Sequence, residues 1–244
     1  MVVAKVDSKI FTALDQMNQE EITSFLRQNS KELSQIKIGL EVFCRYGKDW
    51  VASLMKDHQL DLFLDLKLHD IPNTVAKAIH SLEGLPLKFL TIHLSGGRAM
   101  IEAAIKAQRS ALPDCQLLGV SYLTSLGPAD FQELYGISEA AVSGHFTKLF
   151  QLAIETGLGG LVCSAHEATL MRSLEAQNKS AKNILVCPGI RFSDEGQHGD
   201  QKRVMDPLQA VNAGADYLVM GRSLVQATNL KERLSQLKQM GLIN

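Results

Sequence analysis

Eight short apolar runs, each followed by a stretch of helix length, recur along the 244 residues. Strands separated in this way pair in parallel, because each crossover uses a helix. The strands fall at residues 10–14, 36–39, 62–68, 89–94, 116–122, 160–163, 184–187 and 217–220. The helices fall at 18–33, 41–56, 72–82, 98–111, 128–135 with 138–156, 165–177 and 205–213, and a final one opens at Gly221-Arg222-Ser223 and runs to Met240. Eight such pairs, without a linker, composition break or repeat of solenoid period, predict an α/β chain closed into a (β/α)8 TIM barrel, one domain over residues 1–244. A doubly wound open sheet is the alternative. Against it, Asp15-Gln16-Met17 stands where a G-x-G-x-x-G turn would follow the first strand.

The third strand carries the densest chemistry, in the stretch LFLDLKLHDIPNT over residues 62–74. Side chains alternate across a strand, so Leu64, Leu66 and Leu68 share one face while Asp65 and Lys67 share the other. His69 and Asp70 follow where the strand should end, and Pro72 marks the entry to a helix. This places two carboxylates and an ammonium at the C-terminal end of a strand, the edge where α/β proteins bind ligands. A purely structural role is the competing reading: Asp65 and Lys67 as an ion pair, Asp70 as a helix N-cap. Burying such charges costs on the order of several kcal/mol per ion, a cost most readily tolerated at a site that uses them.

In a barrel every strand ends on the same rim, so the other rim residues belong to the same inventory. They are Asp15 after strand one, Lys37 in strand two, Thr124 after strand five, Pro188 and Arg191 after strand seven, and Gly221 and Arg222 after strand eight. The last two loops are where barrels often hold phosphate. Gly221, without a side chain, lets its backbone N–H approach an anion. The combination predicts a phosphorylated substrate whose other end meets the Asp/Lys cluster. Residues 192–202 (FSDEGQHGDQK) read either as a plain connector or as a lid over the phosphate, with Gln201 donating its amide.

Net charge and cysteine usage narrow the class. A formal charge of −1 leaves no basic footprint for nucleic acid. No apolar run approaches membrane-spanning length and residues 1–11 lack a signal core. Cys44, Cys115, Cys163 and Cys187 form no C-x-x-C pair and predict free thiols in a reducing compartment, hence a cytoplasmic protein. His93 lies near the end of strand four without a partner at ligand spacing, and no zinc or Ser-His-Asp pattern stands out. Asp65 and Asp70 could hold Mg²⁺, but Lys67 between them competes as a built-in cation, so no metal is expected.

Together these segments resemble the bacterial orotidine 5′-phosphate decarboxylases. The match rests on Leu14-Asp15, KIG at 37–39, FLDLKLHDIPNTV, HLSGG at 93–97, LTS at 123–125, PGIR at 188–191, GDQKR at 199–203 and MGRS at 220–223, and spans residues 11–225. The D-x-K-x-x-D core alone is shared with sugar-phosphate relatives; the HDIPNT extension, PGIR and the GDQ loop are the more specific parts. Residues 195–198 (EGQH) fall where members of the family vary.

The resemblance implies a homodimeric barrel that converts orotidine 5′-phosphate to uridine 5′-phosphate and CO₂ with neither metal nor organic cofactor. It implies that Lys67 protonates C6 of the pyrimidine and that Asp65 lies beside the substrate carboxylate. Lys37 and Asp15 would hold the ribose and order the charges. Asp70, Ile71 and Thr74 would reach across the dimer interface, Thr124 and Ser125 would meet the pyrimidine edge, and Gln201, Gly221 and Arg222 would grip the phosphate with Pro188 and Arg191 beside them. Two rivals remain at this stage: a Mg²⁺-dependent sugar-phosphate decarboxylase or aldolase working through an enediolate, and a non-catalytic phosphonucleotide-binding protein.

Overall fold

A computed structural model of the chain describes residues 8–58, 60–179, 182–195 and 205–244. Gln201 and the 199–203 motif lie outside the described residues, as does most of the expected lid. Eight strands form a closed parallel barrel in sequence order: β1 (Ile10–Ala13), β2 (Gln35–Gly39), β3 (Asp61–Leu68), β4 (Leu87–His93), β5 (Gln116–Val120), β6 (Gly160–Val162), β7 (Ile184–Cys187) and β8 (Tyr217–Met220), which closes on β1. The barrel expectation holds and the open sheet falls away.

Alternation sorts the strand residues into two cores. Phe11, Ala13, Phe63, Phe89, Leu118, Val120, Val162, Val186 and Val219 fill the barrel interior. Residues of opposite parity, such as Ile36, Ile38, Leu62, Leu64, Leu90 and Ile92, face the helical layer. The interior is closed at the N-terminal end by Lys88. Its ammonium bonds Gln35 Oε1 and Asp61 Oδ2, each at 2.9 Å, and lies 4.9 Å from the centre of the Tyr217 ring. A shift in the β3–β4 register between Leu62 and Phe63 accompanies this inward turn. With packed side chains and a cation at its floor, the barrel is open to ligands at its C-terminal mouth.

The helices are α1 (Gln19–Asn29), α2 (Leu40–Asp57), α3 (Pro72–Ser81), α4 (Gly97–Ala111), α5 (Pro128–Tyr135), α6 (Val142–Thr156), α7 (Ala165–Asn178), α8 (Pro207–Asn212), α9 (Arg222–Val225) and α10 (Leu230–Gln239). Asn18, expected as the first residue of a helix, is instead the cap of α1: its Oδ1 accepts from the N–H groups of Glu20 and Glu21, and Glu21 returns a bond to the Asn18 N–H. The single final helix expected to Met240 is two helices, because Asn229 starts afresh by capping the N–H of Glu232. Met205, expected in a helix, pairs in extended form with Ile190 at the end of β7, and the helix waits for the Asp206 cap and Pro207. No described helix is long and apolar enough to cross a membrane.

Candidate active site

Register places the charged residues in layers. Ala13 pairs with Lys37 and Lys37 with Phe63, so Lys37 is level with the top of the apolar interior. Gly39 pairs with Asp65 one layer higher. Asp15, just past β1, closes the group: its Oδ1 accepts from the Gly39 N–H at 2.8 Å and its Oδ2 is ion-paired to Lys37. Lys37 Nζ is also 3.6 Å from Asp65 Oδ2, which accepts from Lys67 Nζ at 2.7 Å. The result is an alternating chain, Asp15⁻, Lys37⁺, Asp65⁻, Lys67⁺, in which each inner charge has an opposite charge on both sides.

Burial sets the electrostatics. Burial alone would lower the pKa of Lys37, but Asp15 and Asp65 outweigh it and the value stands raised. Burial would raise Asp65, but Lys37 and Lys67 outweigh it, helped by a hydrogen bond from Thr91, and the carboxyl stands lowered. Lys37 and Asp65 are therefore held in their charged forms at neutral pH. His93 differs: burial, the neighbouring His69 and Lys67 lower it to about 4, and its ring lies 5.1 Å from that of His69. It is a neutral imidazole at neutral pH.

A cavity of about 380 Å³ runs from this array across the mouth to the loops after β7 and β8. Ten of the residues singled out from the sequence line it: Asp15, Lys37, Asp65, Lys67, Thr124, Ser125, Pro188, Arg191, Gly221 and Arg222. Phe63, Val120, Val162 and Val219 supply an apolar floor. Tyr122 lines the same cavity and packs edge-on against Phe131 and Phe146, at 4.9 and 5.1 Å, which anchors the loop carrying Thr124 and Ser125. At Gly221 an added Cβ would meet only Ala13, at 3.6 Å, so internal packing does not require the glycine there. A requirement from the cavity side agrees with the phosphate expectation.

Asp70, Ile71 and Thr74 do not line the cavity. All three are exposed around the start of α3, with Ile71 at 66%. Asp70 Oδ1 accepts from the Ile71 N–H at 2.7 Å, so it bonds the backbone beside the helix entry without being the N-cap residue, which is Ile71.

Three contributors were not legible in advance. Thr91, buried on β4, bonds both Asp65 and the Lys67 backbone. Gly39 leaves the space Asp15 occupies: a Cβ there would overlap Asp15 Oδ1. Ser223 lines the cavity and donates to Glu195 Oε2 at 2.5 Å. Glu195 and Asp194 are in turn paired with Arg233 of α10, whose guanidinium lies 4.4 Å from the centre of the Phe192 ring. Residues 192–195 are thus fastened to α10. The glycine was visible in KIG, but its role depends on a cross-strand register.

The chain is similar to known proteins over nearly its whole length. Residues 8–237 match the family described as Orotidine 5′-phosphate decarboxylase / HUMPS. A protein of Psychromonas ingrahamii named orotidine 5′-phosphate decarboxylase is 41% identical over 233 residues, covering 95% of this chain and 96% of its own. One of the same name from Coxiella burnetii is 42% identical over 227 residues, covering 92% and 93%. The crystal structure of orotidine 5′-phosphate decarboxylase from Lactobacillus acidophilus superposes with a TM-score of 0.78 at 28% identity, over 96% of this chain and 98% of that one.

Proposed function

The chain belongs to the Orotidine 5′-phosphate decarboxylase / HUMPS family, and we propose that it catalyses the loss of CO₂ from orotidine 5′-phosphate to give uridine 5′-phosphate, the last step of pyrimidine nucleotide synthesis. The observation that carries the reading is the alternating Asp15, Lys37, Asp65, Lys67 array at one end of a cavity that has Arg191 and Arg222 at the other.

The chemistry needs such an array. Breaking the bond between C6 and the carboxylate leaves an electron pair in the ring plane, orthogonal to the π system, so resonance spreads little of the charge. Fixed charge must then lower the barrier. In the proposed mechanism Lys67⁺ lies beside C6, stabilises the developing carbanion and gives it a proton. The carboxylate departs as neutral CO₂, and Lys67 recovers its proton from water. Asp65 faces the substrate carboxylate; two like charges ~4 Å apart repel by about 4 kcal/mol at an effective dielectric of 20, and the repulsion vanishes as CO₂ leaves. Lys37 and Asp15 hold the ribose hydroxyls, Thr124 and Ser125 the pyrimidine edge. Arg222, the Gly221 N–H and Gln201 bind the phosphate beside Arg191 and Pro188, and binding energy from that remote end holds the reacting end in place.

The proposal extends to assembly and location. A homodimer would bring Asp70, Ile71 and Thr74 of each copy to the active site of the other. The exposed Ile71, together with Leu40 at 57% exposure on the start of the neighbouring α2, supports an apolar interface there. Mixing Lys67→Ala with Asp70→Ala chains tests it: hybrid dimers regain one intact site and activity reappears, whereas no recovery on subunit exchange would refute a shared site. Three buried free thiols and one exposed free thiol suit work in the cytoplasm.

The deciding experiment is ultraviolet absorbance of the purified protein with orotidine 5′-phosphate, with and without EDTA. Conversion to uridine 5′-phosphate that EDTA leaves unchanged is the expected result. Turnover abolished by chelator would point to the metal-dependent relatives, and tight uridine 5′-phosphate binding without turnover to a binding protein.

A further inference from the structure

The backbone around Lys67 departs from a regular strand. Between β3 and β4 the pairing runs from Leu64 with Leu90 directly to Leu68 with Ile92, so four residues of β3 advance while β4 advances two. Lys67 has φ of 51°, in the left-handed region that costs a side-chain-bearing residue roughly 1–2 kcal/mol. Such an irregularity frees a backbone N–H from the ladder, and a buried N–H must find a partner. The Lys67 N–H donates to Thr91 Oγ1 at 2.8 Å. The Thr91 hydroxyl, in turn, donates to Asp65 Oδ1 at 2.9 Å. Thr91 is fully buried at 0% exposure, so no water competes for either bond.

We infer that Thr91 is a positioning residue for the reaction: one hydroxyl fixes the Lys67 backbone and the Asp65 carboxylate together, and so sets the distance between proton donor and opposing charge. Asp65 Oδ2 is already committed to Lys67 and Lys37. Thr91 takes the remaining oxygen and prevents the carboxylate from turning about its final bond. Lys67 enters its strained turn with its N–H bonded to the same hydroxyl, so a shift of one group moves the other. A β-branched residue suits the position, because its limited χ1 freedom holds the hydroxyl in one direction.

The inference rests on the decarboxylase reading, and the test separates the two. Thr91→Val keeps the shape and removes the hydroxyl. It is expected to lower kcat for orotidine 5′-phosphate roughly 10- to 100-fold, the scale of a misplaced reacting group. The Kd for uridine 5′-phosphate, measured by calorimetry, should stay within about threefold, since that ligand meets the array without a carboxylate. Thr91→Ser returns the hydroxyl and should restore most of the rate. Wild-type kcat in Thr91→Val, a matching loss of uridine 5′-phosphate affinity, or a Thr91→Ser enzyme no faster than Thr91→Val each overturns the inference. If Thr91→Val does not fold, Thr91→Ala is held to the same limits. A wild-type protein without turnover would instead refute the decarboxylase reading.

Discussion

Asp65 and Lys67 stand two positions apart on one strand, yet Lys67 Nζ reaches Asp65 Oδ2 at 2.7 Å because Lys67 leaves the extended conformation at φ 51°. A straight strand would point both side chains into the mouth about 7 Å apart at their Cα atoms. The left-handed turn folds the ammonium back over the carboxylate. The strand's alternation thus selects the face, and the turn selects the distance.

Removing the ammonium should separate chemistry from folding. Lys67→Ala is expected to lower kcat by more than about 10³-fold, since in the proposed mechanism it removes both the charge opposite the developing carbanion and its proton. Its circular dichroism should match the wild type, because Asp65 retains Lys37. Lys67→Gly should be equally inactive but more stable than Lys67→Ala by about 1 kcal/mol, since only glycine adopts this φ without strain. Near-normal turnover in either variant would sink the mechanism; equal unfolding midpoints would remove the strain argument.

The charge array should also show in the pH dependence of stability. Asp65 has its pKa lowered in the folded chain from an ordinary value of 3.8, so the folded state binds fewer protons than the unfolded one as pH falls. Its contribution is present above 3.8 and is lost as pH drops through the folded value. Lys37, raised from 10.5, contributes fully below 10.5 and loses that contribution as pH rises through its folded value. Asp65→Asn leaves two ammoniums facing one remaining carboxylate. It should cost about 3 kcal/mol at pH 7, and the difference from wild type should shrink in acid. Urea unfolding at both pH values measures it; a difference independent of pH would contradict the assignment.

Gly39 offers a test that replaces no charged residue. In Gly39→Ala the new methyl would overlap Asp15 Oδ1, so Asp15 must move and its bonds to Lys37 and the Gly39 N–H must stretch. The expected outcome is a fall in kcat/KM of roughly 10- to 100-fold with the barrel still folded. Steady-state kinetics beside a thermal melt would decide. Unchanged kinetics would show that Asp15 can relocate without consequence.

Arg222→Ala should act through the phosphate. Loss of one charge-assisted bond of about 1.5–3 kcal/mol predicts a decrease in kcat/KM of roughly 10- to 100-fold. Inhibition by uridine 5′-phosphate should weaken similarly, while the weaker inhibition by uridine, which lacks the phosphate, should not change. An equal effect on both inhibitors would assign Arg222 to general packing.

Much of this protein was fixed by local sequence. Eight apolar runs spaced by helical segments sufficed to expect parallel strands with a common rim, which follow from chain direction alone, whereas the closure of β8 on β1 is a property of the assembled sheet. The parity of Asp65 and Lys67, and the positions of Lys37, Arg191 and Arg222 at strand ends, followed from the same rule. What the sequence could not supply were relations across strands. Thr91 sits 24 positions from Lys67 and reads as an ordinary strand residue. Gly39 matters only because β2 lies beside Asp15. The left-handed turn at Lys67 goes against the residue's own preference and persists only where neighbouring strands hold it. Local periodicity determines which groups reach the mouth of the barrel; register between strands, a property of the assembled sheet, decides which of them touch.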